Sequence, residues 1–287
     1  MRLLCATDLS SRSDRALRRA GVLAGAGSAE LVLLSVVDDD QPTTLVESER
    51  REVTILLAEQ SRTMHELQDL QPRLRVEVGD AFDAIIRVAD AEKADLVVMG
   101  EHRKRLLRDI FVGTTIERVM RLGRRPVLMV NGPAERPYRR ILAAVDASEP
   151  AAHALCTAYR LGFLALADLT VFHAFELLPG RGVLMLADVS DGAIQKHVEE
   201  TAAERRSALE NFLRGIELGA RSRLPRLVLE EGPPAPALRK VVARLSPDLV
   251  VIGTRGRGAL GRLMLGSVAE EALRTLNCDV LAVPPMP

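Results

Sequence analysis

Gly253-Thr254-Arg255-Gly256 is followed, after nine intervening residues, by Gly266-Ser267. These glycines come directly after the apolar run Leu249-Val250-Val251-Ile252 and directly before a helical pattern from Val268 to Leu276. Strand, glycine loop and helix start in that order form a candidate phosphate cradle. Glycine lets the backbone approach a ligand, and the first helical amides with the helix dipole favour an anion. A plainer use of the same residues is a helix cap, since Ser267-Val268-Ala269-Glu270 reads as a capping box and Thr114-Thr115-Ile116-Glu117 repeats it. A cap does not require glycines along the approach from the preceding strand, and a capped helix still has amides left to bind phosphate. Gly256-Arg257-Gly258-Ala259-Leu260-Gly261 also fits G-x-G-x-x-G. It lies in the fourth strand–helix unit rather than the first, and Asp279 begins the next strand instead of ending it, which argues against a dinucleotide site. No Gly-Lys-Ser/Thr of a Walker motif occurs.

The elements that must position this loop occur twice. Leu3-Leu4-Cys5-Ala6-Thr7-Asp8-Leu9-Ser10 matches Ile141-Leu142-Ala143-Ala144-Val145-Asp146-Ala147-Ser148 at an offset of 138 residues. Asp95-Leu96-Val97-Val98-Met99-Gly100 matches Asp248-Leu249-Val250-Val251-Ile252-Gly253, and Gly113-Thr114 matches Gly266-Ser267, both at an offset of 153. The second copy therefore carries 15 extra residues between its second and third strands, a stretch that includes Leu178 to Ser190. In the first copy the patterning predicts strands at 2–7, 31–37, 74–78, 96–99 and 127–130, with helices over 14–24, 48–67, 81–91 and 114–121. Nearly continuous apolar strands alternating with helices imply an α/β fold, a parallel sheet covered on both faces. Right-handed crossovers make each copy a doubly wound five-stranded sheet. Ligands bind such sheets beyond the strand carboxyl ends at the switch in strand order, where Asp8 would meet Gly100 and Asp146 would meet Gly253. A short junction, about Asn131 to Tyr138, should hold the copies close together.

Composition excludes several functions. Lys+Arg and Asp+Glu both number 39, so no global charge points to nucleic acid or an acidic membrane. Three scattered cysteines and five histidines lack the spacing of a disulfide framework or a metal site. No apolar run reaches the roughly 18–20 residues of a membrane span, and the N-terminus lacks the pattern of a signal peptide, so the chain reads as cytoplasmic. No placed general base or nucleophile–histidine set is visible, so no catalytic residue is assigned. His173, a lone histidine beside the proposed pocket, reads as pocket wall or helix contact.

The spacing Gly253-x2-Gly256-x9-Gly266-Ser267, the strand-ending Asp146 and the order of elements resemble the ATP-binding members of the universal stress protein family. The resemblance covers essentially the whole chain as a tandem pair. It implies two Rossmann-like, nucleotide-binding domains, over 1–132 and 138–287, packed as an intramolecular pseudo-dimer through their last strands. The resemblance further implies that Asp146 contacts the nucleoside, with Ala144, Val145 and Ala174 lining the adenine pocket beside Ile252. Gly253, Gly256, Gly266, Ser267 and Val268 would hold ribose and phosphates, and Arg255 or Arg257 could add charge. The expected ligand is ATP, AMP or ADP, with Mg accompanying ATP. The first copy keeps Asp8, Gly100, Gly113 and Thr114 but has Arg103 where the second glycine should stand, which predicts an empty or weakened site. The expected role is a stress response exerted through unknown protein partners, with a homodimer of the pair left open. A nucleotide-independent scaffold and a slow ATPase are the alternatives.

Overall fold

The computed structural model describes residues 1–101, 114–134, 136–177, 190–216, 225–255 and 265–286. In the first half, strands β1 (Arg2–Ala6), β2 (Glu30–Val37), β3 (Arg73–Val78), β4 (Leu96–Gly100) and β5 (Val127–Val130) alternate with helices α1 (Ser13–Gly27), α2 (Thr43–Thr63), α3 (Ala81–Ala91) and α4 (Thr115–Leu122). The second half repeats the order with β6 (Arg140–Ala144), α5 (Glu149–Arg160), β7 (Asp168–Phe175), α6 (Asp191–Arg214), β8 (Arg226–Glu231), α7 (Pro234–Leu245), β9 (Leu249–Gly253), α8 (Ser267–Thr275) and β10 (Asp279–Val283). Helix α2 starts earlier than the periodicity predicts. Pro42 stands at its N-cap, and the amides of Leu45 and Val46 both donate to the Pro42 carbonyl. It also ends earlier, at Thr63, and a 3-10 turn at His65–Leu67 takes up the rest of the predicted span.

Within each half the strands are parallel, in the order 3-2-1-4-5 and its equivalent, so each half is a doubly wound sheet. The two sheets fuse. Strand β10 pairs antiparallel with β5, setting Val280 opposite Met129, Leu281 opposite Leu128 and Ala282 opposite Val127, and a single ten-stranded sheet results. Every residue of β5 and β10 is buried, as the centre of a sheet covered on both faces requires. Alternation along the strands separates two cores. Leu3, Leu33, Val98, Leu128, Ile141 and Leu281 face α1, α2, α5 and α6, whereas Leu4, Leu34, Val97, Met129, Leu142 and Val280 face α3, α4, α7 and α8. Both cores run unbroken across the two copies.

The junction carries a buried polar lock. Asp279, at the start of β10, is fully buried and accepts from the amides of Asn131 and Gly132 at 2.8 and 2.7 Å, from the Tyr138 hydroxyl, and from Arg19 Nε at 3.1 Å. The other guanidinium nitrogens of Arg19 donate to the carbonyls of Arg136 and Pro133, both at 2.7 Å, and the group lies 4.2 Å from the Tyr138 ring centre. Asn131 Nδ2 in turn donates to the carbonyls of Leu276 and Cys278, just beyond α8. Among the described residues no helix is long and apolar enough to cross a membrane.

Candidate functional site

The two crevices open at the carboxyl ends of β1 and β4 and of β6 and β9, the neighbours at which each strand order reverses. The chain leaves β1 and β6 through the same turn. Asp8 Oδ1 accepts the Ser10 amide at 3.0 Å and Asp146 Oδ1 accepts the Ser148 amide at 3.1 Å. Between them Leu9 and Ala147 take left-handed φ values of 59° and 55°, a conformation uncommon for residues other than glycine. Partial burial acts to raise the Asp8 pKa, but the hydroxyl and amide of Ser10 and the hydroxyl of Ser13 outweigh it and hold the carboxyl below its ordinary value. The pairing of each aspartate with a serine two residues on is legible in the repeat, as Asp8-Leu9-Ser10 and Asp146-Ala147-Ser148.

Gly100 and Gly253 are explained first by packing. A Cβ on Gly100 would lie 3.1 Å from the Arg12 carbonyl oxygen, and one on Gly253 would lie 3.2 Å from the Arg255 carbonyl and 3.5 Å from that of Pro150. Both positions let the start of the first helix in each copy press against the end of the fourth strand. The sequence reading assigns these glycines to ligand approach, and the backbone contact is reason enough for them.

At the second crevice Ala144 sits beside Ile252 in the β6–β9 register, and Ile252 and Val145 are buried. His173 lies inside β7, and its Nδ1 is 2.8 Å from the Val145 carbonyl. Ala174 lies inside β7 rather than after it. The Thr254 amide donates to Val283 and the Gly266 amide to the Thr254 carbonyl, both at 2.8 Å, so the two ends of the glycine loop are tied together. Gly256 and Arg257 lie outside the described residues, as do Arg103 and Gly113 of the first copy and residues 178–189 of the insertion.

The capping expectation holds in one copy and fails in the other. Thr114 caps α4 as predicted: its hydroxyl accepts from the Glu117 amide at 3.3 Å, and Glu117 Oε2 accepts from the Thr114 amide at 3.1 Å. Helix α8 begins one residue earlier in register. Gly266 is its N-cap, Ser267 is already in the first turn, and no side chain caps the end. Among the described residues the amides of Ser267, Val268 and Ala269 have no acceptor, and the Ser267 side chain is exposed. The matching motif hides this difference because Glu270 can reach back only if Ser267 stays outside the helix.

The first crevice is a cleft of about 510 Å³. Leu34, Val36, Ile85, Met99 and Ile116 form its apolar wall, and Asp8, Ser11, Arg12 and Glu101 supply polar groups. Glu101 is paired with Arg15 at 3.3 Å, and Arg15 also donates to the Asn131 carbonyl at 2.6 Å.

Two doubly wound sheets joined in one chain, each with a crevice at its switch point, define a tandem α/β protein. The model of the universal stress protein family matches residues 1–131 and again 137–284, and the chain belongs to that family. A universal stress protein of Thermus aquaticus is 31% identical over 148 residues, covering 51% of this chain and 98% of the relative. One of Mycolicibacterium smegmatis is 23% identical across 99% of this chain and 97% of its own. The crystal structure of a universal stress protein from Archaeoglobus fulgidus superposes with a TM-score of 0.67 at 21% identity, covering 99% of this chain and 98% of that one, a likeness of fold.

Proposed function

We propose that this chain binds an adenine nucleotide, ATP or AMP, in its second crevice and acts in the cytoplasmic stress response through partners that respond to occupancy. The observation that carries the reading is the start of α8. It is uncapped, glycine-led and tied to the strand end through Thr254, with three amides left for an anion beyond the carboxyl end of β9. Asp146 is the group for the ribose hydroxyls, and Ala144, Val145, Ile252 and Ala174 supply the apolar wall for the base. Gly253, Arg255, Gly256, Gly266, Ser267 and Val268 surround the phosphates in this reading. The test is to denature freshly purified protein, identify any released nucleotide, and titrate the emptied chain with ATP and AMP. Protein that neither carries nor takes up adenine nucleotide at millimolar concentration sinks the proposal. Gly266→Phe should abolish binding with the fold intact, because a bulky side chain there covers the amides.

A further inference from the structure

The fused sheet ends in two edge strands, β3 and β8. Strand β3 reads Arg73-Leu74-Arg75-Val76-Glu77-Val78, and its register on β2 decides which of its backbone groups are free. Val78 lies opposite Val37, yet the Val37 carbonyl accepts from the Gly79 amide at 2.9 Å, so the odd-numbered residues of β3 bond inward to β2. The amides and carbonyls of Leu74, Val76 and Val78 therefore point away from the sheet, and no hydrogen bond among the described residues engages them. The side chains divide by the same alternation. Leu74 and Val76 pack on the core that faces α1 and α2, and Val78 at the end of the row is exposed. Arg73, Arg75 and Glu77 lie on the other face, where Arg75 pairs with Glu77 at 2.7 Å and with Glu92 at 3.1 Å. A row of unpaired donors and acceptors invites a further strand, and charges on an edge decide which strand it accepts.

We infer that β3 is the docking edge for a second copy of this chain, with the two β3 strands pairing antiparallel about a two-fold axis at Val76. Only outward-facing residues can exchange hydrogen bonds across such a seam, so the register moves in steps of two. Centred on Val76, the seam sets Leu74 opposite the partner's Val78 and the two Val76 residues opposite each other, and all three outward residues bond. Arg75 then falls opposite the partner's Glu77, and Glu77 opposite the partner's Arg75, in the non-bonded positions where facing side chains come closest. The next register in one direction sets Arg75 against Arg75, and the next in the other sets Glu77 against Glu77. Each of these also bonds fewer outward residues. Charge and hydrogen bonding thus select the same register, with apolar side chains meeting on one face and opposite charges on the other. The β8 edge lacks this match: centred on Leu229, its fullest register sets Val228 opposite Glu230 and forms no ion pair. Strands β5 and β10 are already paired within the chain, so a second copy must use an outer edge. A two-fold β3 seam closes on itself, whereas β3 on β8 would repeat head to tail into a filament. A seam this short makes a weak, reversible dimer.

The test is sedimentation velocity of the full chain from about 1 μM to about 1 mM, the span of weak association. The wild type should pass from one chain to two across that span. Arg75→Glu and Glu77→Arg should each weaken the dimer by about tenfold or more, because each turns two facing ion pairs into two like-charge pairs. Mixing the two variants should restore the dimer, since the acids of one chain then face the arginines of the other. Val76→Pro should abolish it and leave the fold intact, because the lost amide points outward and takes no part in the bonds to β2. A chain that stays single up to about 1 mM overturns the assignment. So does a dimer indifferent to Val76→Pro and to both charge reversals, or a mixture of the two reversals that fails to pair, or growth beyond two chains. If Val76→Pro fails to fold, as judged by circular dichroism, the mixing experiment decides, because loss of the Arg75–Glu77 pair within one chain cannot be repaired by adding another chain.

Discussion

Replacing Asp279 by alanine removes the acceptor from four donors at once. Two are backbone amides of the junction, one is the Tyr138 hydroxyl, and one is Arg19, whose side chain is itself only 4% exposed. The alanine variant leaves that guanidinium buried without a counter-charge. Breaking a buried pair by deleting one partner costs about 3–5 kcal/mol. For a unit of this size that is a fall in Tm on the order of 10 °C. Asp279→Asn should lose less, because its carbonyl can still accept the amides of Asn131 and Gly132, while its amino group faces the donors of Arg19. Urea and thermal unfolding of wild type, Asp279→Ala, Arg19→Met and the double variant closes a thermodynamic cycle. The double variant should be more stable than the sum of the single losses by more than about 1 kcal/mol, since it buries no stranded charge. A loss below about 1 kcal/mol for Asp279→Ala, or strict additivity, would refute the view that the pair is desolvated and coupled.

Four further outcomes follow from local geometry and charge. Thr114→Ala should cost about 1 kcal/mol and Ser267→Ala no more than a few tenths, because only the first of these matching motifs caps a helix; equal losses in chemical denaturation would contradict the difference in register. Gly232 holds φ at 122°, so Gly232→Ala should destabilise by about 1–3 kcal/mol. Gly25→Ala, in α1 with open space at the Cβ position, should stabilise by about 0.5–1 kcal/mol. Partial burial raises the Asp248 carboxyl, but the amides of Arg139 and Arg140 and the Arg140 guanidinium outweigh it and hold its pKa below the ordinary 3.8. The folded value lies below the unfolded one, so this stabilisation is complete above about pH 4 and is lost as pH falls through the folded pKa. Asp248→Asn should be less stable than wild type at neutral pH, with the gap closing in acid; a constant gap down to about pH 2 would rule out the linkage.

The sheet was legible because a parallel strand buried on both faces reads as an apolar run, and the repeat fixed which runs correspond. Arg2–Ala6, Leu96–Gly100 and Val127–Val130 appear within a residue or two of their predicted bounds. Helix α2 was less legible, since Thr43-Thr44-Leu45-Val46 follow a proline and offer no polar cap. The crevices were legible as places, through Asp8, Asp146 and the glycines, but their chemistry was not. Whether Ser267 lies outside the helix or inside its first turn is a one-residue matter of register that the local pattern leaves degenerate. Asp279 reads in the sequence only as a candidate cofactor acid, because its partners Arg19 and Tyr138 are 260 and 141 residues away.

Those distant partners also show what joining two copies in one chain permits. In a pair of identical subunits every interfacial contact occurs twice, so a buried charge at the centre would be duplicated. Here the positions equivalent to Asp279, Arg19 and Asn131 are Pro126, Thr157 and Pro284, and the lock forms on one side of the β5–β10 seam only. Arg19 completes its bonding on the carbonyls of Pro133 and Arg136, which belong to the linker itself. The lock therefore needs the linker folded back onto α1, and a second chain supplying only β10 could not satisfy it. The same break in symmetry frees each crevice to differ, with a capped helix start at α4 in one and a bare helix start at α8 in the other. Meanwhile the common sheet holds the two at a fixed separation.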